Sequence, residues 1–484
     1  MQDDPPIADA VHAVLSTGAC SVTLPAGSGK TELIAASAAE VTSRDGSSLV
    51  LTHTHAGVDA LRRRMRKFEV ASDRVVVRTI DSWSYDLIAH FPQLAGLDVG
   101  AAPDWGRVED YHRAAARAVA SKAVGRMLRA SYTNLFVDEY QDCLSDQHQL
   151  TLALAGVLPT AVFGDPLQCL FNFGRNRPVD WVADVLPNFG TVEVHHRPRR
   201  WDPDRQELGK WLVSIRDNLL NGLPIDLSSA PVTWIQRRDA RTYVSACYRA
   251  LRLDGQIAVL GQFRPDCVNA ASSLGGSYSV MEAIDEKVPV ALASKVDTQG
   301  GAVVATALLK FAIDCSSGIP NHIPSAKRKR LGEGKTFTTR SDHLKPAYDA
   351  LVQVRSAPTP AAMQVALELI SHLPGVTIHC QEAWNEVARS VAIAVSDGCT
   401  VSDALQRTRN HTRVVGRRPR SRVVSRPLLV KGLEYDHVII LNPANYSAQE
   451  LYVALTRGSK SVTVISDSAV LPAAGMAAHS ASSV

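Results

Sequence analysis

The stretch Ser21-Val22-Thr23-Leu24-Pro25-Ala26-Gly27-Ser28-Gly29-Lys30-Thr31 constrains this chain more than any other. Val22, Thr23 and Leu24 read as the end of a buried strand, and Glu32 to Glu40 as the helix that follows. Between them lies a turn of small residues ending in Gly-Lys-Thr. Such a turn lets backbone N–H groups close around phosphate oxygens, and the helix start adds the positive end of its dipole. Pro25, Ala26, Gly27, Ser28, Gly29, Lys30 and Thr31 would then bind the nucleotide. Lys30 reaches the β- and γ-phosphates, and the Thr31 hydroxyl holds Mg²⁺. The strict pattern carries glycine where this chain has Leu24.

A phosphate loop of this kind needs a carboxylate at the end of a neighbouring strand. Leu135-Phe136-Val137-Asp138-Glu139 supplies two: an apolar run leads directly into the acids, which therefore sit at the strand's C-terminal edge, where open α/β sheets bind ligands. Asp138 is placed to coordinate Mg²⁺ and Glu139 to polarise the attacking water.

Around these motifs the first half of the chain alternates β and α patterns. Strands are expected at Ser48–Leu51, Arg74–Thr79, Asn134–Val137, Ala161–Phe163 and Thr191–Val194. Helices are expected at Ala56–Lys67, Ser82–His90 and Ser145–Ala155. The alternation predicts an α/β fold, a parallel sheet with helices on both faces. Residues 91–130 interrupt it with a loop and an Ala/Arg-rich helix, Asp110–Ala130, read as a small helical insertion. A second α/β unit starts after Pro198, with strands at Val232–Ile235, Ile257–Leu260, Val438–Leu441 and Ser461–Ile465. Between about 290 and 416 the pattern turns helical, at Ala302–Ile313 and Ala361–His372, around a basic loop at Ile319–Lys335. At 484 residues the chain is long enough for two to four domains.

The string Asp138-Glu139-Tyr140-Gln141-Asp142 resembles the second motif of superfamily 1 DNA helicases of the UvrD/Rep type, and further blocks follow in that family's order. Gly164-Asp165-Pro166-Leu167-Gln168 is similar to the block whose glutamine senses the γ-phosphate. Val194-His195-His196-Arg197 is similar to the block whose arginine also reaches it. Lys431-Gly432-Leu433-Glu434-Tyr435-Asp436 matches a block whose glutamate, here Glu434, belongs to the nucleotide site. Tyr452-Val453-Ala454-Leu455-Thr456-Arg457 matches the block whose arginine acts as an arginine finger. The resemblance implies two RecA-like P-loop cores with ATP and Mg²⁺ in the cleft between them. Lys30, Glu139, Gln168, Arg197 and Arg457 would be catalytic, with Thr31 and Asp138 holding the metal and Arg457 on the second core.

It also implies a grip on single-stranded DNA, or on a junction of single- and double-stranded DNA. Such a grip needs aromatic faces for base stacking, for which Trp83, Phe171 and Phe173 are the candidates. Leu51-Thr52-His53-Thr54-His55 stands where the family carries a stacking phenylalanine and a lysine, and has neither. The region Ile7-Ala8-Asp9-Ala10-Val11, where relatives read adenine with a glutamine, has no glutamine.

The expected organisation is an N-terminal ATP-binding core over 1–195, a C-terminal core over 196–289 and 417–472, an inserted helical subdomain over 290–416, and a disordered tail over 473–484. The implied activity is that of an ATP-dependent helicase or translocase moving 3′-to-5′ on single-stranded DNA. The alternative is a DNA-stimulated ATPase that serves as motor or sensor for a partner nuclease, in anti-phage defence or DNA repair. The eight cysteines form no C-x-x-C pair, which disfavours a zinc site or a disulfide framework. No apolar run approaches the length of a membrane span and no signal-peptide core opens the chain, so no membrane partner and a cytoplasmic location are expected. The net charge of +4 is small for this length, so it points to no acidic partner by itself.

Overall fold

The computed structural model describes residues 7–100, 103–170, 177–195, 197–239, 241–281, 287–415 and 420–472. The chain divides into two units. Unit 1 comprises Met1–Val232, Ala444–Lys460 and Ala469–Val484, and unit 2 comprises Thr233–Pro443 and Ser461–Ser468.

Unit 1 is built on a six-stranded sheet of β1 (Ala19–Thr23), β2 (Ser48–Thr52), β3 (Val75–Thr79), β4 (Asn134–Val137), β5 (Thr160–Gly164) and β6 (Gly190–Thr191), in the order β3-β2-β4-β5-β1-β6. All its pairings are parallel. The strands are short apolar runs because both faces are covered. Successive residues feed two different cores, as the two-residue strand period requires. Val50, Phe136, Ala161 and Phe163 pack with the helices Ile7–Ser16, Lys30–Ser43 and His55–Lys67. Leu49, Leu51, Leu135, Val137 and Val162 pack with the helices Ile80–His90, Val108–Val119, Lys122–Ser131 and Ser145–Ala155. Between β1, which leads into the Gly-Ser-Gly-Lys-Thr turn, and β4, which leads into Asp138 and Glu139, the sheet places one strand, β5. A two-residue antiparallel pair, β7 (Ile225–Asp226) with a strand at Val470–Leu471, completes the unit.

Unit 2 holds a second six-stranded sheet of β8 (Thr233–Gln236), β9 (Ile257–Leu260), β10 (Ser279–Val280), β13 (Arg422–Ser425), β14 (Tyr435–Leu441) and β15 (Gly458–Ser466, of which the part from Ser461 on belongs to unit 2), in the order β10-β13-β9-β14-β15-β8. The pairs β10–β13, β13–β9, β9–β14 and β15–β8 are parallel. Strands β11 (Ser316–Ser317) and β12 (Thr377–Ile378) form a small antiparallel pair among the helices of 287–415. Those helices share one apolar core with Ile257, Val259, Val424, Ile439 and Ile465 of the sheet.

Three expectations change. The stretch 110–130 is two helices, Val108–Val119 and Lys122–Ser131, because the Ser121 side chain accepts from the Ala123 N–H and starts a new helix. The basic stretch in 319–335 is helical at Ile319–His322 and Ser325–Gly332: Leu331 is buried there, and Lys327 and Arg330 donate to the carbonyls of Thr338 and Thr336. Unit 1 also continues beyond residue 195, to Val232, and takes in Ala444–Lys460. The buried Trp201 indole fastens this extension by donating to the Gly458 carbonyl, 2.8 Å away. The tail 473–484 lies outside the described residues.

Candidate nucleotide site

The loop after β1 is fastened to the sheet by Leu24 N–H donating to Gly164 O (3.1 Å), and it turns through Ser28 N–H to Pro25 O (3.2 Å). Gly27 (φ 72°) and Gly29 (φ 91°) both lie in the left-handed region, which side-chain-bearing residues rarely enter. At Gly27 space matters as well. A Cβ there would lie 2.8 Å from Arg200 Cβ and 2.9 Å from the Trp201 ring, and the Arg200 N–H donates to the Gly27 carbonyl. The turn at Arg199–Trp201 thus braces the loop from outside. Gly29 is the N-cap of the Lys30–Ser43 helix and gives no side-chain cap. The helix start therefore keeps the N–H groups and dipole end that bind anions.

Lys30 Nζ stands 2.8 Å from Glu139 Oε1 and 3.5 Å from Asp138 Oδ1. Burial opposes its charge, but Glu139, Asp138 and Asp165 outweigh burial and hold the ammonium well above its ordinary value. The contacts to the two acids are ion pairs by distance. Among the described residues, no acceptor meets hydrogen-bond alignment with Nζ, and the buried Ser28 hydroxyl likewise finds none. Buried polar groups are ordinarily hydrogen-bonded, so the Ser28 hydroxyl, buried with no acceptor among the described residues, fits a loop completed by the oxygens of a triphosphate.

Asp138 is buried at the end of β4, and burial is the main force raising its carboxyl, to about 6, against the pull of Lys30. Its Oδ1 accepts from the Glu139 N–H. Glu139 has φ 54°, the left-handed region for a residue with a long side chain. Backbone outliers of this type collect at functional sites. Asp138 and Thr31, which is the second residue of its helix, offer one carboxylate and one hydroxyl oxygen. That donor set fits Mg²⁺, which keeps several waters and takes most of its remaining oxygens from substrate phosphates. No group of three or more His, Cys, Asp or Glu side chains able to hold a metal occurs among the described residues.

Beside the loop a cavity of about 170 Å³ opens, lined by Ile7, Asp9, Ala10, Ser28, Glu193 and Arg197 among others. Arg197 is exposed and pairs with Asp202 at 3.5 Å. Gln168 is buried, and its amide donates to Asp165 Oδ2 at 3.0 Å. Lys30, Asp138, Glu139 and Gln168 are thus brought into one neighbourhood of unit 1, through Asp165.

Other expected residues lie differently. Arg457 packs in unit 1, not with the second sheet. It is 1% exposed, and it donates from Nε to the Val453 carbonyl (3.0 Å) and from Nη2 to the Thr456 hydroxyl (2.9 Å). Glu434 belongs to unit 2, in the exposed turn before β14. Trp83, expected as a stacking surface for bases, is 7% exposed and sits in the core with Leu87 one helical turn on, so it presents no open face. Phe171 and Phe173 lie outside the described residues. Three residues given no role in the sequence reading enter the site: Gln141, Arg216 and Tyr452. Gln141 and Tyr452 stand inside quoted motifs. Arg216 follows Ser214 and Ile215 in a stretch with no pattern to mark it.

No family model matches the chain, and no curated protein matches it in sequence. Among solved structures it is similar to that of the arterivirus nonstructural protein 10 helicase in complex with DNA, at 11% identity and a TM-score of 0.35. The match covers 95% of this chain, which spans 62% of that one. At that distance the likeness carries no argument about this chain. No helix among the described residues is long and apolar enough to cross a membrane.

Proposed function

We propose that the chain is an ATP-hydrolysing nucleic-acid motor of the UvrD/Rep type, moving 3′-to-5′ on single-stranded DNA. The observation that carries the hydrolysis is the ion-paired set of Lys30, Asp138 and Glu139, gathered where the loop after β1 meets the buried Asp138 at the end of β4, in a parallel sheet with one strand between the two. In this reading Lys30 and the loop N–H groups hold the triphosphate, and Asp138 and Thr31 hold Mg²⁺. Glu139 takes the proton of the attacking water, and Gln168 reads the γ-phosphate. Two six-stranded α/β sheets in one chain support a two-core motor. The polarity and the choice of DNA rest on the motif resemblance alone.

The test is steady-state ATPase activity with and without single-stranded DNA, followed by strand displacement on a 3′-tailed duplex. Wild type should hydrolyse ATP, and faster with DNA. Lys30→Ala should be inactive. Glu139→Gln should bind Mg·ATP normally and turn over at least about 10²-fold more slowly, as expected for loss of a general base. Full activity in either variant would move the chemistry elsewhere.

A further inference from the structure

A run of hydrogen bonds leaves the loop at Ala26 and is closed back onto it by the ion pair of Glu139 with Lys30, entirely within unit 1. The Ala26 N–H donates to the Tyr452 hydroxyl at 3.1 Å. The same hydroxyl accepts from Arg216 Nη1 at 2.7 Å, and the Arg216 guanidinium lies over the Tyr452 ring, 5.0 Å from its centroid. Arg216 also forks onto Asp165, with Nη2 to Oδ1 at 2.8 Å and Nη1 to Oδ2 at 2.9 Å. The Asp165 N–H donates to Gln141 Oε1 at 3.0 Å, and Gln141 Nε2 donates to Glu139 Oε2. Glu139 Oε1 then meets Lys30. Asp165 is fully buried, Gln141 and Tyr452 are each 1% exposed and Arg216 is 9% exposed, so water competes little for the bonds among these four, while Glu139 at the end of the run is partly open to solvent.

We infer that Arg216 and Tyr452 form a positioning relay that holds the base Glu139 and the γ-phosphate reader Gln168 in register with the phosphate loop. The inference rests on the ATPase reading above. Asp165 is the branch point: its carboxylate accepts from Gln168 on one side, and its N–H orients Gln141, and through it Glu139, on the other. A buried carboxylate holds these directions only if its charge is neutralised in place. Arg216 does this with two parallel N–H groups and still has a donor aligned on the phenol, which the single ammonium of lysine cannot reproduce. Tyr452 is the other end of the relay. Its hydroxyl takes both the Arg216 bond and the loop N–H, so a displacement of the Ala448–Leu455 helix that carries it reaches Ala26 and Asp165 together. Arg216 touches none of the residues assigned to the phosphates, and Tyr452 meets that loop only at the Ala26 N–H. Both act through Asp165 and Ala26.

The experiment compares Tyr452→Phe, which keeps the ring and removes only the hydroxyl, with Arg216→Lys, which keeps the charge and loses the fork. Both variants should bind Mg·ATP within about threefold of wild type while kcat falls by roughly tenfold or more, a split expected when groups are misaligned and binding is kept. Tyr452→Phe should also speed hydrogen exchange at the Ala26 amide while leaving the β2 amides protected. Exchange at Ala26 unchanged in Tyr452→Phe, or a kcat within twofold of wild type in either folded variant, would overturn the relay. A loss of kcat matched by an equal loss of ATP-binding-competent protein would make these residues structural and also overturn it. If wild type binds Mg·ATP but does not hydrolyse it, the ATPase reading fails, and the exchange measurement at Ala26 alone then decides whether the relay ties Tyr452 to the loop.

Discussion

At the scale of single residues, the site balances buried charge against buried charge. Asp138 illustrates what that balance costs. Its carboxyl is raised because burial outweighs the attraction of Lys30, so the folded chain holds the proton more tightly than the unfolded chain does. The corresponding stability is fully present below the unfolded carboxylate value, near 3.8, and is lost as pH rises through about 6. Asp138→Asn should therefore melt at a higher temperature than wild type in EDTA and without nucleotide. The advantage should amount to roughly 1–3 kcal/mol above pH 6, since each pH unit by which folding raises a carboxyl is worth about 1.4 kcal/mol, and it should vanish below about pH 4. Equal melting temperatures at pH 7.5 would show that Lys30 compensates the carboxylate fully. The same residue scale explains where Trp83 lies. A tryptophan on a helix with Leu87 four residues on reads equally well as a stacking face or as core, and the packing of Tyr111 and Leu128 in the same cluster decides for core.

At the scale of elements, the loop between β1 and its helix depends on two glycines for different reasons. Gly29 needs only its backbone conformation, because a Cβ there would find no heavy atom closer than 3.9 Å. Gly27 needs the conformation and the space, since Arg200 and Trp201 press against it. Gly29→Ala should thus cost about 1–2 kcal/mol, the ordinary penalty for a left-handed alanine. Gly27→Ala should cost more and should also reduce nucleotide affinity by pushing the loop off the Arg199–Trp201 turn. Chemical denaturation and equilibrium binding of a fluorescent ATP analogue measure the two effects. A Gly27→Ala chain as stable as the Gly29→Ala chain would remove the bracing role of that turn. The boundaries of most strands in unit 1 were legible because each is an apolar run flanked by turn residues. In unit 2, β13 was not, because its Val423 and Val424 follow an arginine-rich stretch that masks so short a run.

At the scale of the whole molecule, the proposed motor must track a polyanion. If DNA stimulates turnover through lysine and arginine contacts, the apparent DNA affinity should fall with salt, with a log–log slope of about 0.7 for each phosphate contacted. Titrating single-stranded DNA at increasing potassium chloride gives the slope directly, and a flat response would remove the nucleic-acid groove from the proposal. The exposed basic side chains of the Ser325–Gly332 helix are a natural place to look for such contacts in unit 2, since Lys329 lies largely in solvent, 3.8 Å from Glu333.

The sequence by itself determined the α/β class, the Gly-Ser-Gly-Lys-Thr turn between β1 and its helix, the acids that follow β4 and the placement of most of the strands. These are local properties: strand period, apolar runs and the turn chemistry of Gly-Ser-Gly-Lys-Thr act within a dozen residues. Tertiary structure alone decided the side on which the chain's late segment packs. The block Tyr452–Arg457 was read as part of a second core, yet it packs in unit 1, where Tyr452 meets Ala26 and Arg216 meets Asp165. Those partners stand 426 and 51 residues apart in sequence. No local pattern marks an arginine whose task is to neutralise one buried carboxylate, because that need exists only after the chain has folded around it.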